Sequence, residues 1–220
     1  MPEGVLLSEQ PTALAEAGRR FFIVSPGRTG STLLSAILAD AGADFGKMPP
    51  QRWDRAGGDM EHPYFLRAAR YFLDAEAISM ERPGFGIAGM RWVIYRSMGK
   101  RWLRAGLEQA RFAKVYGANS LVRAAFKMAY FPTVILSYRR FEDYAVSLGL
   151  IHAHATSESL HERYRQTYSN GLWLLSMFGG CVVDYESLVD IADCSWAEPL
   201  ALTTGLSTAN LVKPCSSPGS

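Results

Sequence analysis

Between Ser25 and Thr32 the chain sets one arginine among two glycines and four hydroxyl residues: Ser25-Pro26-Gly27-Arg28-Thr29-Gly30-Ser31-Thr32. The apolar run Phe21-Phe22-Ile23-Val24 leads into it, and apolar residues resume with helical spacing at Leu33, Leu34, Ile37 and Leu38. A strand, a short loop and a helix start in that order bring unpaired backbone N–H groups and the positive end of a helix dipole to one point. Such a point takes a phosphate or sulfate group, and Arg28 adds a fixed charge beside it. Pro26, Gly27, Arg28, Thr29, Gly30, Ser31 and Thr32 are therefore the first candidate anion-binding residues. The loop departs from the nucleoside-triphosphate pattern G-x-x-x-x-G-K-[ST], which needs a Lys directly after its last Gly. Here Ser31 follows Gly30, and the cation stands two residues before that Gly.

A second pair offers the same chemistry. Thr133-Val134-Ile135-Leu136-Ser137-Tyr138 reads as a strand with Arg139 at its carboxyl end, and Ser147 follows eight positions later on the next helix. About two helical turns bring the hydroxyl round, so guanidinium and Ser147 can converge on one anion. Further on, Cys181-Val182-Val183-Asp184 reads as a third core strand, followed by Tyr185 and Glu186.

These three segments resemble, in the same order, elements of the sulfotransferases that use 3′-phosphoadenosine 5′-phosphosulfate (PAPS). The run P-x-R-T-G-S-T is similar to their 5′-phosphosulfate loop. The strand leading into Arg139, Asp143 and Ser147 is similar to their R-x-P-x-D-x-x-x-S element, which holds the 3′-phosphate, with Phe141 in place of the Pro. Tyr185-Glu186-Ser187-Leu188 resembles a Y-E-d-L segment whose Tyr and Glu are mainly structural. The resemblance spans residues 21–190 through short motifs. It implies a P-loop-type α/β fold, a soluble bacterial-type member, PAPS as cofactor, adenosine 3′,5′-bisphosphate as product and no metal. The activity implied is sulfuryl transfer to a hydroxyl or amine, with Arg28 stabilising the leaving charge. Two features of some relatives are missing: a C-terminal G-x-x-G-x-x-K clamp, and a Lys-x-Pro near Gly117-Ala118-Asn119-Ser120.

An acceptor hydroxyl also needs a base. Gly58-Asp59-Met60-Glu61 resembles a G-x-x-E pattern in some bacterial sulfotransferases, which implies that role for Glu61. His62 competes, because an unperturbed imidazole titrates near neutrality. Either residue can instead cap the helix that begins at Pro63. The strand–loop–helix and Asp184 also fit a P-loop kinase or nucleotide hydrolase, and the absent clamp fits a non-catalytic nucleotide-binding relative. The acceptor stays open among small molecules, glycans and lipids.

The frame that must position these groups is legible in the apolar periodicity. Strands are expected at about 20–25, 112–116, 133–138 and 181–184. Helices are expected up to Gly42, over 63–77, once or twice over 87–111, and over 119–130, 142–150 and 157–178. Residues 43–62, including Trp53, read as a long irregular segment. Buried apolar strands separated by helices predict a parallel sheet with helices on both faces, as one domain over 1–220. Ligands of such sheets sit at the carboxyl ends of the strands, which puts the first loop and Arg139 on one edge. The lead 1–19 and the tail 212–220 are expected to be flexible, with a short helix closing the lead.

Composition narrows the partners. The 220 residues are 48% apolar and 20% charged, an ordinary globular balance. A net charge of +2 suits a small anion held by local arginines, not a nucleic acid. Three cysteines without metal-ligand spacing suggest reduced thiols and a cytoplasmic protein. No apolar run approaches the ~20 residues of a membrane span.

Overall fold

Four strands alternate their side chains between two faces, and helices cover each face. The computed structural model describes residues 13–47, 61–80, 87–116, 119–149, 156–190 and 192–212. The strands are β1 (Arg19–Ser25), β2 (Phe112–Tyr116), β3 (Phe131–Tyr138) and β4 (Gly180–Asp184). They form one all-parallel sheet in the order β2-β1-β3-β4. The helices are α1 (Ala13–Gly18), α2 (Ser31–Asp40), α3 (Pro63–Met80), α4 (Ile87–Gln109) and α5 (Asn119–Lys127). After β3 come α6 (Phe141–Gly149), α7 (Ser157–Phe178), α8 (Tyr185–Val189), α9 (Ala197–Thr204) and α10 (Thr208–Leu211). This is an α/β fold of the P-loop type.

On one face Phe22, Val24, Ala113, Val115, Val134 and Leu136 pack with Phe65 and Phe72 of α3, Leu103 and Leu107 of α4, and Leu174 of α7. On the other, Phe21, Ile23, Phe112, Ile135 and Val183 meet Leu34 and Leu38 of α2, Leu188 of α8 and Leu200 of α9. Each of these side chains larger than alanine, fully buried, contributes about 1.5–3 kcal/mol, so the two faces together fix the strand register. From β1 the chain passes to β2 on one side, then crosses β1 to reach β3 on the other. In sheets of this kind such a reversal, at the carboxyl ends of the strands, is where ligands bind.

The periodicity located most elements to within a few residues; of the one or two helices expected over 87–111 there is one, α4, and two details differ. The helix expected over 119–130 stops at Lys127, because Ala129 takes a left-handed conformation (φ 63°) that turns the chain into β3. The strand at 181–184 lies at the edge of the sheet, with Val182 48% exposed, since β3 alone pairs with it among the described residues. It starts at Gly180 (φ 139°), where an added Cβ would fall 1.7 Å from the Val134 carbonyl oxygen. Only glycine lets β4 begin that close to β3. The short helix expected after the lead is α1; Trp53 lies outside the described residues, as do residues 48–60 around it.

Candidate functional site

β1 ends in the buried Ser25, whose hydroxyl closes the following turn: it accepts from the Gly27 N–H (3.3 Å) and donates to Ser31 Oγ (3.2 Å). Gly27, Arg28 and Gly30 have φ of 84°, 57° and 73°, with Thr29 between them outside the left-handed region. Left-handed residues interrupted in this way can turn neighbouring N–H groups toward one point, the backbone form of an anion-binding nest. Leu34 N–H bonds back to the Gly30 carbonyl. Among the described residues, none accepts from the N–H groups of Arg28, Thr29, Gly30, Ser31, Thr32 or Leu33. The Thr29 hydroxyl is also buried and unpartnered there. An exposed arginine held at positive φ is strained backbone at the centre of this cradle.

β3 locks the loop from one flank. Ser137 Oγ donates to the Thr29 carbonyl at 2.6 Å, and Arg139 Nη1 donates to the Arg28 carbonyl at 3.0 Å. The Arg139 guanidinium lies 4.3 Å from the centre of the Tyr185 ring, a cation–π contact. That ring fills the space beside Gly30, where a Cβ would meet it at 2.2 Å. Arg28 Nε in turn donates to Ser147 Oγ at 3.2 Å. Arg28, Arg139 and Ser147 are thus brought together, but in a different pairing from the expected Arg139–Ser147 convergence. α6 begins right after Arg140 and carries Ser147 over the loop, where it meets Arg28.

Three residues of α7, which sequence reasoning did not single out, hold this end of β3 and the loop after β1. Tyr168 Oη donates to the Ser137 carbonyl and accepts from the Arg139 N–H, both at 3.1 Å. Tyr164 Oη donates to the Arg139 carbonyl at 2.8 Å, and Arg163 Nη2 reaches the Pro26 carbonyl at 3.5 Å. Burial raises the pKa of both phenols, keeping them protonated donors.

The opposite flank holds a group the motifs missed. Lys114 of β2 is wholly buried at its side chain, donates from Nζ to Thr32 Oγ1 at 2.8 Å, and lies 3.6 Å from the Glu61 carboxylate. A lysine of the neighbouring strand thus reaches the first turn of α2, already paired with a carboxylate. The signal was a lysine inside the apolar strand Phe112-Ala113-Lys114-Val115-Tyr116. A buried charge is costly unless paired, so such a residue points to a partner or a ligand.

Glu61 is therefore tied to the first turn of α2 through Lys114, whereas His62 serves α3. The His62 carbonyl accepts from the N–H groups of Phe65 (2.9 Å) and Leu66 (3.2 Å), and its Nδ1 accepts from that of Tyr64 (3.3 Å). The imidazole is buried, edge-on to the rings of Tyr64 and Phe65. Burial lowers its pKa below the usual 6.5, with the Gln109 amide opposing weakly. With Nδ1 accepting, the neutral ring carries its proton on Nε2 and presents no free lone pair. Gly58, Asp59 and Met60 of the preceding motif lie outside the described residues.

Asp184 caps α8, its carboxylate accepting from the Ser187 N–H at 3.3 Å. Beside it both carboxyl oxygens of Glu186 are shut off from solvent. Burial raises the Glu186 pKa, and the Asp184 and Asp143 carboxylates add to the rise. A cavity of about 360 Å³ opens next to Lys114, walled by Phe65, Leu66, Ala69 and Leu73 of α3. The chain matches no protein-family model, no curated protein and no solved structure.

Proposed function

We propose that this chain is a PAPS-dependent sulfotransferase that moves a sulfuryl group onto a hydroxyl or amine of an acceptor. One observation carries the reading: an open row of loop N–H groups, with Lys114 on one flank and Arg28, Arg139 and Ser147 on the other. A ligand with two separated phosphates fits two flanks better than a single orthophosphate does. The loop N–H groups, the Thr29 hydroxyl and Lys114 would hold the 5′ end; Arg139 and Ser147 would hold the 3′-phosphate.

PAPS, when bound, supplies a sulfuryl group on its 5′-phosphate. In the transfer the acceptor oxygen would bond to sulfur as the bond from sulfur to that phosphate broke, leaving charge on the phosphate oxygen. Lys114 and the loop N–H groups would stabilise that charge, as in phosphoryl transfer. Arg28, tethered to Ser147, would add its positive charge to the bound phosphates. The acceptor proton would pass to Glu61, whose carboxylate lies 3.6 Å from Lys114.

Thermal unfolding with adenosine 3′,5′-bisphosphate in the absence of magnesium tests the reading. At ~100 times its dissociation constant the ligand adds about 2.7 kcal/mol of stability. An absent shift, or an equal one with ADP, would rule the reading out. A second reading, a P-loop kinase or nucleotide hydrolase, is favoured by the ammonium of Lys114 close to the loop. It requires instead a magnesium-dependent shift with ATP.

A further inference from the structure

α4 packs its inner face on α3, with Gly99 against the Phe72 ring and Gly106 against Phe65. Opposite that seam the residues run Met90, Val93, Ile94, Ser97, Arg101 and Arg104, one stripe at helical spacing. The stripe starts apolar and ends basic. Met90, Val93 and Ile94 are 68%, 57% and 51% exposed, adjacent at positions i, i+3 and i+4. Lys100, Arg101 and Arg104 follow, also exposed, with Arg101 about 10 Å further along the axis than Ile94.

The charge of this helix is one-sided: Arg91, Arg96, Lys100, Arg101 and Arg104 stand against Glu108 alone. Arg91 and Arg96 lie over the rings of Tyr95 and Trp92. Among the described residues, no carboxylate forms an ion pair with Lys100, Arg101 or Arg104. Single exposed apolar residues are ordinary, but a contiguous patch rimmed by cations marks a contact surface. Among the described residues no helix is long and apolar enough to cross a membrane, so α4 would rest on a bilayer without spanning it.

We propose that the outward face of α4 docks on an anionic lipid surface. Met90, Val93 and Ile94 enter the boundary between headgroups and acyl chains. Lys100, Arg101 and Arg104, one to three turns behind, meet the lipid phosphates. Other occupants match less of the stripe. A second copy packed antiparallel would set the apolar end of one helix against the cations of the other, and a parallel one would oppose like charges. A nucleic acid would use the cations and leave the apolar patch in water.

The test sediments the full chain with phosphatidylcholine vesicles and with vesicles of equal parts phosphatidylcholine and phosphatidylglycerol. Binding to the mixed vesicles is expected to be on the order of tenfold stronger or more, and to weaken in high salt. The pairs Val93→Glu/Ile94→Glu and Arg101→Glu/Arg104→Glu should each abolish that preference. All four positions are exposed, and unchanged thermal midpoints will show that the variants fold. Equal binding to both vesicle types, no binding, or wild-type binding by either pair overturns the proposal. So does a dimer in light scattering, without vesicles, that Val93→Glu/Ile94→Glu dissolves.

Discussion

Lys114 costs the fold something before it does anything for a ligand. Its ammonium is withdrawn from water, and the Glu61 carboxylate and the Thr32 hydroxyl help make that tolerable. Lys114→Met leaves Glu61 beside an apolar side chain, so we expect a loss of about 2–4 kcal/mol in urea unfolding. Adding Glu61→Gln should restore most of it, because the stranded charge goes with the carboxylate. Neither variant should be stabilised by adenosine 3′,5′-bisphosphate. A double variant no more stable than the single one would show that the pair is not the reason the lysine is tolerated. Arg28, Arg139 and Ser147 were legible as residues because their types and local spacing suffice. Lys114 was not, since it belongs to another strand, some eighty positions from Thr32, and pairing between strands has no local spacing. What the sequence did offer was weaker: one charge in a buried apolar run. The different contacts of Glu61 and His62 were likewise beyond local reading, because they depend on which residue starts α3 and which reaches β2.

The turn from β1 into α2 is built by packing as much as by its own residues. Gly30 combines a left-handed backbone with a Tyr185 ring that leaves no room for a Cβ. Gly30→Ala is expected to destabilise the protein by roughly 2–4 kcal/mol, summing backbone strain and overpacking. Tyr185→Ala in that background removes the clash but not the strain, so it should return only part of the loss by thermal unfolding. Full recovery would mean that the conformation at Gly30 carries no strain. Most helices were readable at this scale, α7 closely so, because their apolar stripes repeat at 3.6 residues. The edge position of β4 was not readable, as four residues with two adjacent valines look the same in the centre of a sheet or at its rim.

Across the whole molecule, the chain's reversal at β1 matters more than any one element. It places β2 and β3 on either side of one loop, so charge arrives from both neighbours. A ligand bridging both flanks should protect the amides of residues 27–32 and 139–147 together in hydrogen exchange. Protection confined to the first segment would reduce the site to one anchor. Apolar strands alternating with helices made the parallel sheet legible, and with it the edge that gathers the first loop and Arg139. Strand order was not, because buried β-branched runs are interchangeable until side chains such as Lys114 and Ser137 select their neighbours.

Lys114 also limits how portable this loop is. Residues 25–32 carry the shape of an anion cradle, but its buried positive charge is lent by a strand encoded far downstream. Grafted alone onto another sheet, the segment would bring the turn and leave the ammonium behind. A scan for contiguous patterns meets the same obstacle: it sees an arginine, two glycines and some hydroxyls, and passes over the lysine.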